Sequence, residues 1–330
     1  MGSSNTENIN KKSIALLFPG QGSQVVGMGK DFFEKFEHIR VYYEKANDIL
    51  GYDIKSLIFN GPAETLAQTE YTQPSVFLTS YIIFKCLEKH CPNITDYIKF
   101  TAGHSLGEYT ALCVSGALTF EDALKIVSIR GKVMAEVSKE NPGGMVAILG
   151  VDKDEVMKLC GEVRSTGMIV EPVNFNTPQQ IVVAGEVSGI EKLQEILNQR
   201  KIRNIKLNVS GAFHSSLMNK AQKIFSETLD KVIINNAFIP IIMNYDAKAH
   251  VIREEILENL KQQINHPVLW EDTIKYMVEN KTEVFIEVGV SKVLSGMLKK
   301  VFPEKIILTT ENLETFESCC NFIKENIIRS

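Results

Sequence analysis

Short apolar runs alternate along this chain with longer stretches in which apolar residues return every three or four positions. The run at 13–18 (SIALLF) is short and continuous, which predicts a buried strand. It ends in the turn-rich PGQGSQ at 19–24, and helical spacing then predicts helices over 28–36, 41–50 and 75–89. A second short strand at 99–102 leads into AGHSLGEYTA, and helices follow at 106–115 and 121–139. Asn141-Pro142-Gly143-Gly144 breaks the pattern and marks a boundary. Beyond it come a strand at 145–149, a helix at 152–162, strands at 168–173 and 180–184, a helix at 187–199 and a strand at 202–207. That order, βαββαβ, is the ferredoxin-like arrangement. After Asn208, strands at 239–244, 282–287 and 305–309 alternate with helices near 214–231, 253–264, 271–279, 291–301 and 314–328. Such alternation predicts a mostly parallel sheet with helices on both faces. The expected organisation is a polar tail at 1–12, an α/β large subdomain from 13–140 and 208–330, and an inserted small subdomain at 141–207.

Composition narrows the function without naming it. The 330 residues, 44% hydrophobic and 23% charged, are those of a globular protein able to bury a large core. A net charge of −4, with no local run of Lys and Arg, argues against nucleic acid as the partner. No apolar stretch approaches the roughly 20 residues of a membrane span. The N-terminal MGSSNTENINKK has no apolar core of a secretory signal. The six cysteines form no C-x-x-C pair and lie in apolar segments, so reduced, buried thiols are expected, with no metal site.

Four features carry candidate chemistry. Gly103-His104-Ser105-Leu106-Gly107 has the form of a nucleophile elbow, a strained strand-to-helix turn that exposes a serine hydroxyl. Ser105 and Glu108 also fit a helix capping box, and Ser105 could serve both roles. The loop PGQGSQVVGMGK (19–30) follows a strand, but its glycines make neither a dinucleotide fingerprint nor a Walker A sequence. It remains either a simple tight turn or a source of free backbone N–H groups for an oxyanion. Of six histidines, His214 in VSGAFHSSLM lies just beyond a predicted strand and is the preferred base, with helix capping as its plainer role. His266 competes, and His104 is expected to pack. Sequence spacing nominates no acid for a triad. Arg130 interrupts the apolar face of its helix, so it pairs either with a carboxylate of the protein or with one from a ligand.

Together these pieces resemble the malonyl-CoA:acyl carrier protein transacylases and the related acyltransferase domains of fatty acid and polyketide synthases. The matching segments, in order, are FPGQGSQ, GHSLGEYTAL, Arg130, NPGGMVAILG, PVNFNTPQQIVVAG, VSGAFHSSLM, NHPVLWEDT and EVGVSKVLSGM. The resemblance implies a hydrolase-like large subdomain with an inserted ferredoxin-like small one. It also implies that Ser105 is the nucleophile, His214 its base and Arg130 the holder of the malonyl carboxylate. The backbone N–H groups of Gln21 and Leu106 would form the oxyanion hole. The backbone carbonyl of Gln263 would orient the histidine, which accounts for the missing acid. Phe213, directly before the base, matches members that select malonyl over methylmalonyl groups. The implied reaction is ping-pong acyl transfer from malonyl-CoA to acyl carrier protein by a monomer, without cofactor, nucleic acid or membrane. Lys299 and Lys300, with Lys220, Lys223 and Lys292, are candidates for docking the acidic carrier. A serine thioesterase or a silent scaffold are the rival classes. A bacterial cytoplasm, or a plastid or mitochondrial matrix after removal of a transit peptide, would suit the chain.

Overall fold

In the computed structural model, which describes residues 13–209 and 211–328, Ile14–Phe18 forms β1 with all five side chains buried. A strand apolar at every position needs cover on both faces, which a parallel sheet between helical layers supplies. The tail expected at 1–12 lies outside the described residues. Four short helices follow, α1 (Lys30–Lys35), α2 (Arg40–Leu50), α3 (Ile54–Asn60) and α4 (Ala63–Leu66). The last two were not expected; Gly51 and Gly61-Pro62 bracket α3, and α4, directly after Pro62, is too short to show an apolar spacing. α5 (Thr69–His90) starts well before the predicted 75. Its first turns, TEYTQ, carry no apolar face because Thr72 and Gln73 are buried against polar partners.

β2 (Ile98–Gly103) lies parallel to β1, and α6 (Gly107–Val114) and α7 (Phe120–Glu140) follow it. Thr119 caps α7 by accepting a hydrogen bond from the Asp122 N–H.

The next unit is β3 (Gly143–Leu149), α8 (Lys153–Arg164), β4 (Val170–Thr177), β5 (Gln180–Glu186), α9 (Val187–Gln199) and β6 (Arg203–Lys206). Its four strands pair antiparallel in the order β4-β5-β3-β6, the ferredoxin-like topology. Alternation along the strands divides its faces. Val146, Ile148, Ile181 and Val183 pack with Leu159 and Leu193 of its own helices, whereas Met145, Ala147, Val182 and Ala184 join the main core. The Phe175 N–H donates to the Val268 carbonyl, and the Val268 N–H to that of Val173, which ties this unit to the rest of the chain.

The remaining elements are α10 (Asn219–Leu229), β7 (Ile241–Ile242), β8 (Ala249–His250), α11 (Arg253–Gln263), α12 (Trp270–Glu279), β9 (Val284–Glu287), α13 (Val293–Val301), β10 (Ile306–Thr309) and α14 (Leu313–Asn326). The large sheet has the order β10-β9-β1-β2-β7-β8, parallel except where β8 folds back on β7. The α/β class and the mostly parallel sheet are as expected. The strand predicted at 239–244 shrinks to two residues, since the Met243 N–H turns to the Lys248 carbonyl and Asn244 leaves the ladder. The helix predicted from 214 starts instead as a 3-10 turn, Ser216–Met218, before α10. Loops at the carboxyl ends of β1 and β2, the usual site of chemistry in such sheets, converge below the small unit.

Candidate active site

β2 ends at Gly103, and the chain turns into α6 within four residues. Ser105 sits at the bend with φ 50°, in the left-handed region that costs a non-glycine residue about 1–2 kcal/mol. The flanking glycines are required by space. A Cβ at Gly103 would lie 1.9 Å from the Gly107 carbonyl carbon, and one at Gly107 would lie 2.0 Å from the Phe18 oxygen. A side chain from beyond β7 clamps the bend: Asn244 Oδ1 accepts from the Ser105 N–H and its Nδ2 donates to the Gly103 carbonyl, both at 2.7 Å.

The capping box expected of Ser105 and Glu108 does not form. The residue that caps α6 is Leu106, with no side-chain cap, because both polar groups are engaged elsewhere. Ser105 Oγ lies 2.7 Å from His214 Nε2, and Glu108 is fully buried beneath the elbow.

His214 also has left-handed backbone, at φ 63°. Its N–H donates to the Ile264 carbonyl, and Nδ1 lies 2.8 Å from the Gln263 carbonyl at the end of α11. A carbonyl can only accept, so the ring proton sits on Nδ1 and the Nε2 lone pair faces the Ser105 hydroxyl. Burial, helped by the Arg130 charge and opposed by the Gln263 carbonyl, pulls this imidazole down to about 3. It is therefore neutral and able to take a proton. Neither rival reading of the histidines survives. His266 turns to the Gln262 carbonyl, and Ser215, not His214, caps the following turn. His104 packs edge-on against Trp270, as expected, with Nε2 held 2.8 Å from Asn176 Oδ1.

Arg130, on α7, is 1% exposed, yet no carboxylate among the described residues pairs with it. Nη1 donates to Gln73 Oε1 at 2.8 Å, and Nη2 donates to Gln263 Oε1 at 3.0 Å and to Ser105 Oγ at 3.1 Å. Its Nε is buried without a partner among the described residues, and the Tyr109 ring lies 5.4 Å from the guanidinium carbon. Arg130 is thus a buried cation held by neutral groups beside a serine hydroxyl, a position that is costly unless its charge is matched.

The loop after β1 bends at Gly22, with φ 101°, and anchors the Gln21 side chain on Thr69. Neither the Gln21 nor the Leu106 backbone N–H donates a hydrogen bond among the described residues, whereas Asn244 takes that of Ser105. Both lie on a cavity of about 330 Å³ lined also by Ser105, Arg130, Phe213 and His214. A second cavity of about 210 Å³ shares Gln21, His104 and Asn174 with it. It runs between the small unit and Leu294 and Met297 of α13.

Lys299 and Lys300 occupy the last turn of α13, and Lys300 lines a separate cleft with Arg203 and Gln179. Lys220 and Lys292 are paired with Glu140 and Glu311. All six cysteines are free and buried. Among the described residues no cluster of ligating side chains could hold a metal, and no helix is long and apolar enough to cross a membrane.

Sequence reasoning missed Gln73, Asn244 and the second role of Glu108. Their contacts join residues 57 to 155 positions apart, and no local pattern signals them.

The family described as the acyl transferase domain matches residues 15–325. A malonyl CoA-acyl carrier protein transacylase of Bacillus subtilis is 39% identical over 94% of this chain and 98% of its own length. That of Haemophilus influenzae is 35% identical over 94% and 99%. The crystal structure of the Clostridium perfringens transacylase is 37% identical with a TM-score of 0.88, covering 95% of this chain and 98% of that one. A malonyl-transacylase in complex with its type II PKS acyl-carrier protein is 32% identical with a TM-score of 0.89, covering 94% and 99%. A chain that matches the family model over nearly its whole length, with a serine at a strand-to-helix bend, a histidine held by a backbone carbonyl and a buried arginine bonded to neutral groups, belongs to the acyl transferase family.

Proposed function

We propose that this chain transfers the malonyl group from malonyl-CoA to the phosphopantetheine thiol of acyl carrier protein, supplying fatty acid synthesis. The observation that carries the reading is Arg130, a buried guanidinium paired with no carboxylate among the described residues, 3.1 Å from the Ser105 hydroxyl. A three-carbon diacid thioester places a carboxylate two bonds from its reacting carbonyl, which suits that spacing.

The reaction divides into two half-reactions with one base. Ser105 Oγ attacks the thioester carbonyl as its proton passes to His214 Nε2, 2.7 Å away. Negative charge gathers on the carbonyl oxygen, where the free N–H groups of Gln21 and Leu106 meet it; each such donor is worth roughly 10²–10³ in rate. The carbon–sulfur bond breaks, the imidazolium returns its proton to the leaving thiolate, and coenzyme A departs. Malonyl remains esterified to Ser105. The carrier thiol then gives its proton to His214 and attacks the ester, and the serine oxygen recovers the proton as it leaves. The Gln263 carbonyl, at a helix end with partial negative charge, favours the transient imidazolium without a triad acid. The cavity between the small unit and α13 offers a path for a pantetheine arm. Phe213 narrows the acyl cavity, which favours malonyl over branched groups. We place the reaction in a bacterial cytoplasm, carried out by a monomer without metal or cofactor.

Mass spectrometry after brief exposure to malonyl-CoA tests this directly. One malonyl adduct should appear on the peptide containing Ser105, disappear in Ser105→Ala, and move to added carrier protein. Release of free malonate instead of transfer would mark the chain as a hydrolase.

A further inference from the structure

Glu108 is a carboxylate with 0% exposure and no part in the transfer chemistry. Both of its oxygens accept. Oε1 takes a hydrogen bond from Gln263 Nε2 at 2.9 Å, and Oε2 one from the Asn244 backbone N–H at 2.5 Å. Each donor leads to a different component of the site. The Asn244 side chain brackets the nucleophile, and Gln263 Nε2 also donates to the Ser105 carbonyl at 2.9 Å. The far end of the same amide, Gln263 Oε1, accepts from Arg130 Nη2.

An amide has one end that donates and one that accepts, so something must decide which faces the guanidinium. With the NH₂ drawn to a carboxylate, the oxygen is left for Arg130; the reversed amide would set donor against donor. We propose that Glu108 is a positioning residue for carboxylate selection, locking the Gln263 amide so that Arg130 is held ready for the acyl carboxylate. Through Asn244 the same side chain steadies the Ser105 backbone. This inference rests on the reading that Arg130 receives the malonyl group.

The ionised form is the one that fits, because a protonated oxygen would point a donor at a donor. The other ionisable or charged groups facing Glu108 are Arg130, which pulls its carboxyl down, Asp246, which pushes it up, and the neutral Tyr109 ring. Burial dominates and raises it to about 8. The locked arrangement is therefore favoured above that pH and weakened below it.

The experiment is single-turnover acylation of the full chain by malonyl-CoA and by acetyl-CoA, in wild type and in Glu108→Gln, with melting curves for both proteins. The substitution keeps the size but must set a new NH₂ group against the Gln263 amide or the Asn244 N–H. The malonyl-to-acetyl rate ratio should fall at least about tenfold, the equivalent of one unsatisfied buried donor. Disturbance through Asn244 slows both substrates together and cancels in the ratio. A folded Glu108→Gln enzyme with the wild-type ratio overturns the inference, because loss of stability alone reduces both rates equally. If the variant does not fold, the wild-type ratio decides: it should rise with pH through about 8, and a flat ratio overturns the proposal. If wild type never acquires malonyl on Ser105, the function proposed above has failed and takes this inference with it, an outcome distinct from an unchanged ratio.

Discussion

Arg130 keeps its charge where burial works against it, and the groups that hold it, Gln73 and Gln263, are neutral. On the proposed reading, acetyl-CoA entering the cavity leaves that cation unpaired while malonyl-CoA satisfies it, so discrimination would arise from a missing partner. Arg130→Ala should lower kcat/KM for malonyl-CoA by roughly 10²–10³-fold while acetyl transfer is kept or gains, as steady-state rates with both thioesters will show. An unchanged preference between the two would remove Arg130 from substrate recognition. His214 makes a separate prediction. Its imidazole is lowered to about 3, so it stays neutral and active above that value and gains a proton only below it. The pH profile of kcat/KM should therefore pass through 6.5, the ordinary histidine value, without a break between about pH 7 and 5. A half-maximal point near 6.5 would mean that the base is a solvated imidazole, contrary to its burial beside Arg130.

At the scale of elements, the elbow works because β1, β2 and α6 meet with no room between them. Gly107→Ala puts a methyl group 2.0 Å from the Phe18 carbonyl on β1, and no side chain can move aside for it. We expect a loss above about 3 kcal/mol, seen as a large fall in melting temperature or as insoluble protein. A variant within about 1 kcal/mol of wild type would show that the turn can open. The same elements show what a single sequence reveals. Strands buried on both faces, such as 14–18, and the whole βαββαβ order were legible, because apolar runs and period-two alternation are local signals. Ser105 and His214 were nominated by type and by position relative to predicted strands, and Arg130 because it interrupts the apolar face of its helix. The onset of α5 was hidden because its first turns bury polar residues, Thr72 against the Leu66 carbonyl and Gln73 against Arg130. Asn244 was hidden because it reads as the end of a strand, while its role is set by an elbow 141 residues away.

Over the whole molecule, Ser105, His214 and Arg130 all belong to the part built on the parallel sheet, while the small unit supplies walls such as Met145 and Asn174. A carrier protein must thread its arm between the two, and α13 borders that opening. Lys299 and Lys300, exposed in the last turn of α13 and without ion pairs among the described residues, are the cations we propose to meet an acidic partner, on the side of α13 where Lys300 lines its own cleft. Reversing both to Glu should raise the KM for carrier protein by about tenfold in low salt, with less effect as salt rises. The KM for a free pantetheine thiol should not change; if the carrier KM is also unmoved, docking lies elsewhere. The backbone at the centre of the machine sets one more limit. Ser105 and His214, the proposed nucleophile and base, both have positive φ, at 50° and 63°. A β-branched side chain crowds its own carbonyl in that conformation. Threonine in place of Ser105, though it carries the same hydroxyl, is thereby shut out, and the shape of a bend rather than reactivity has chosen which alcohol does the work.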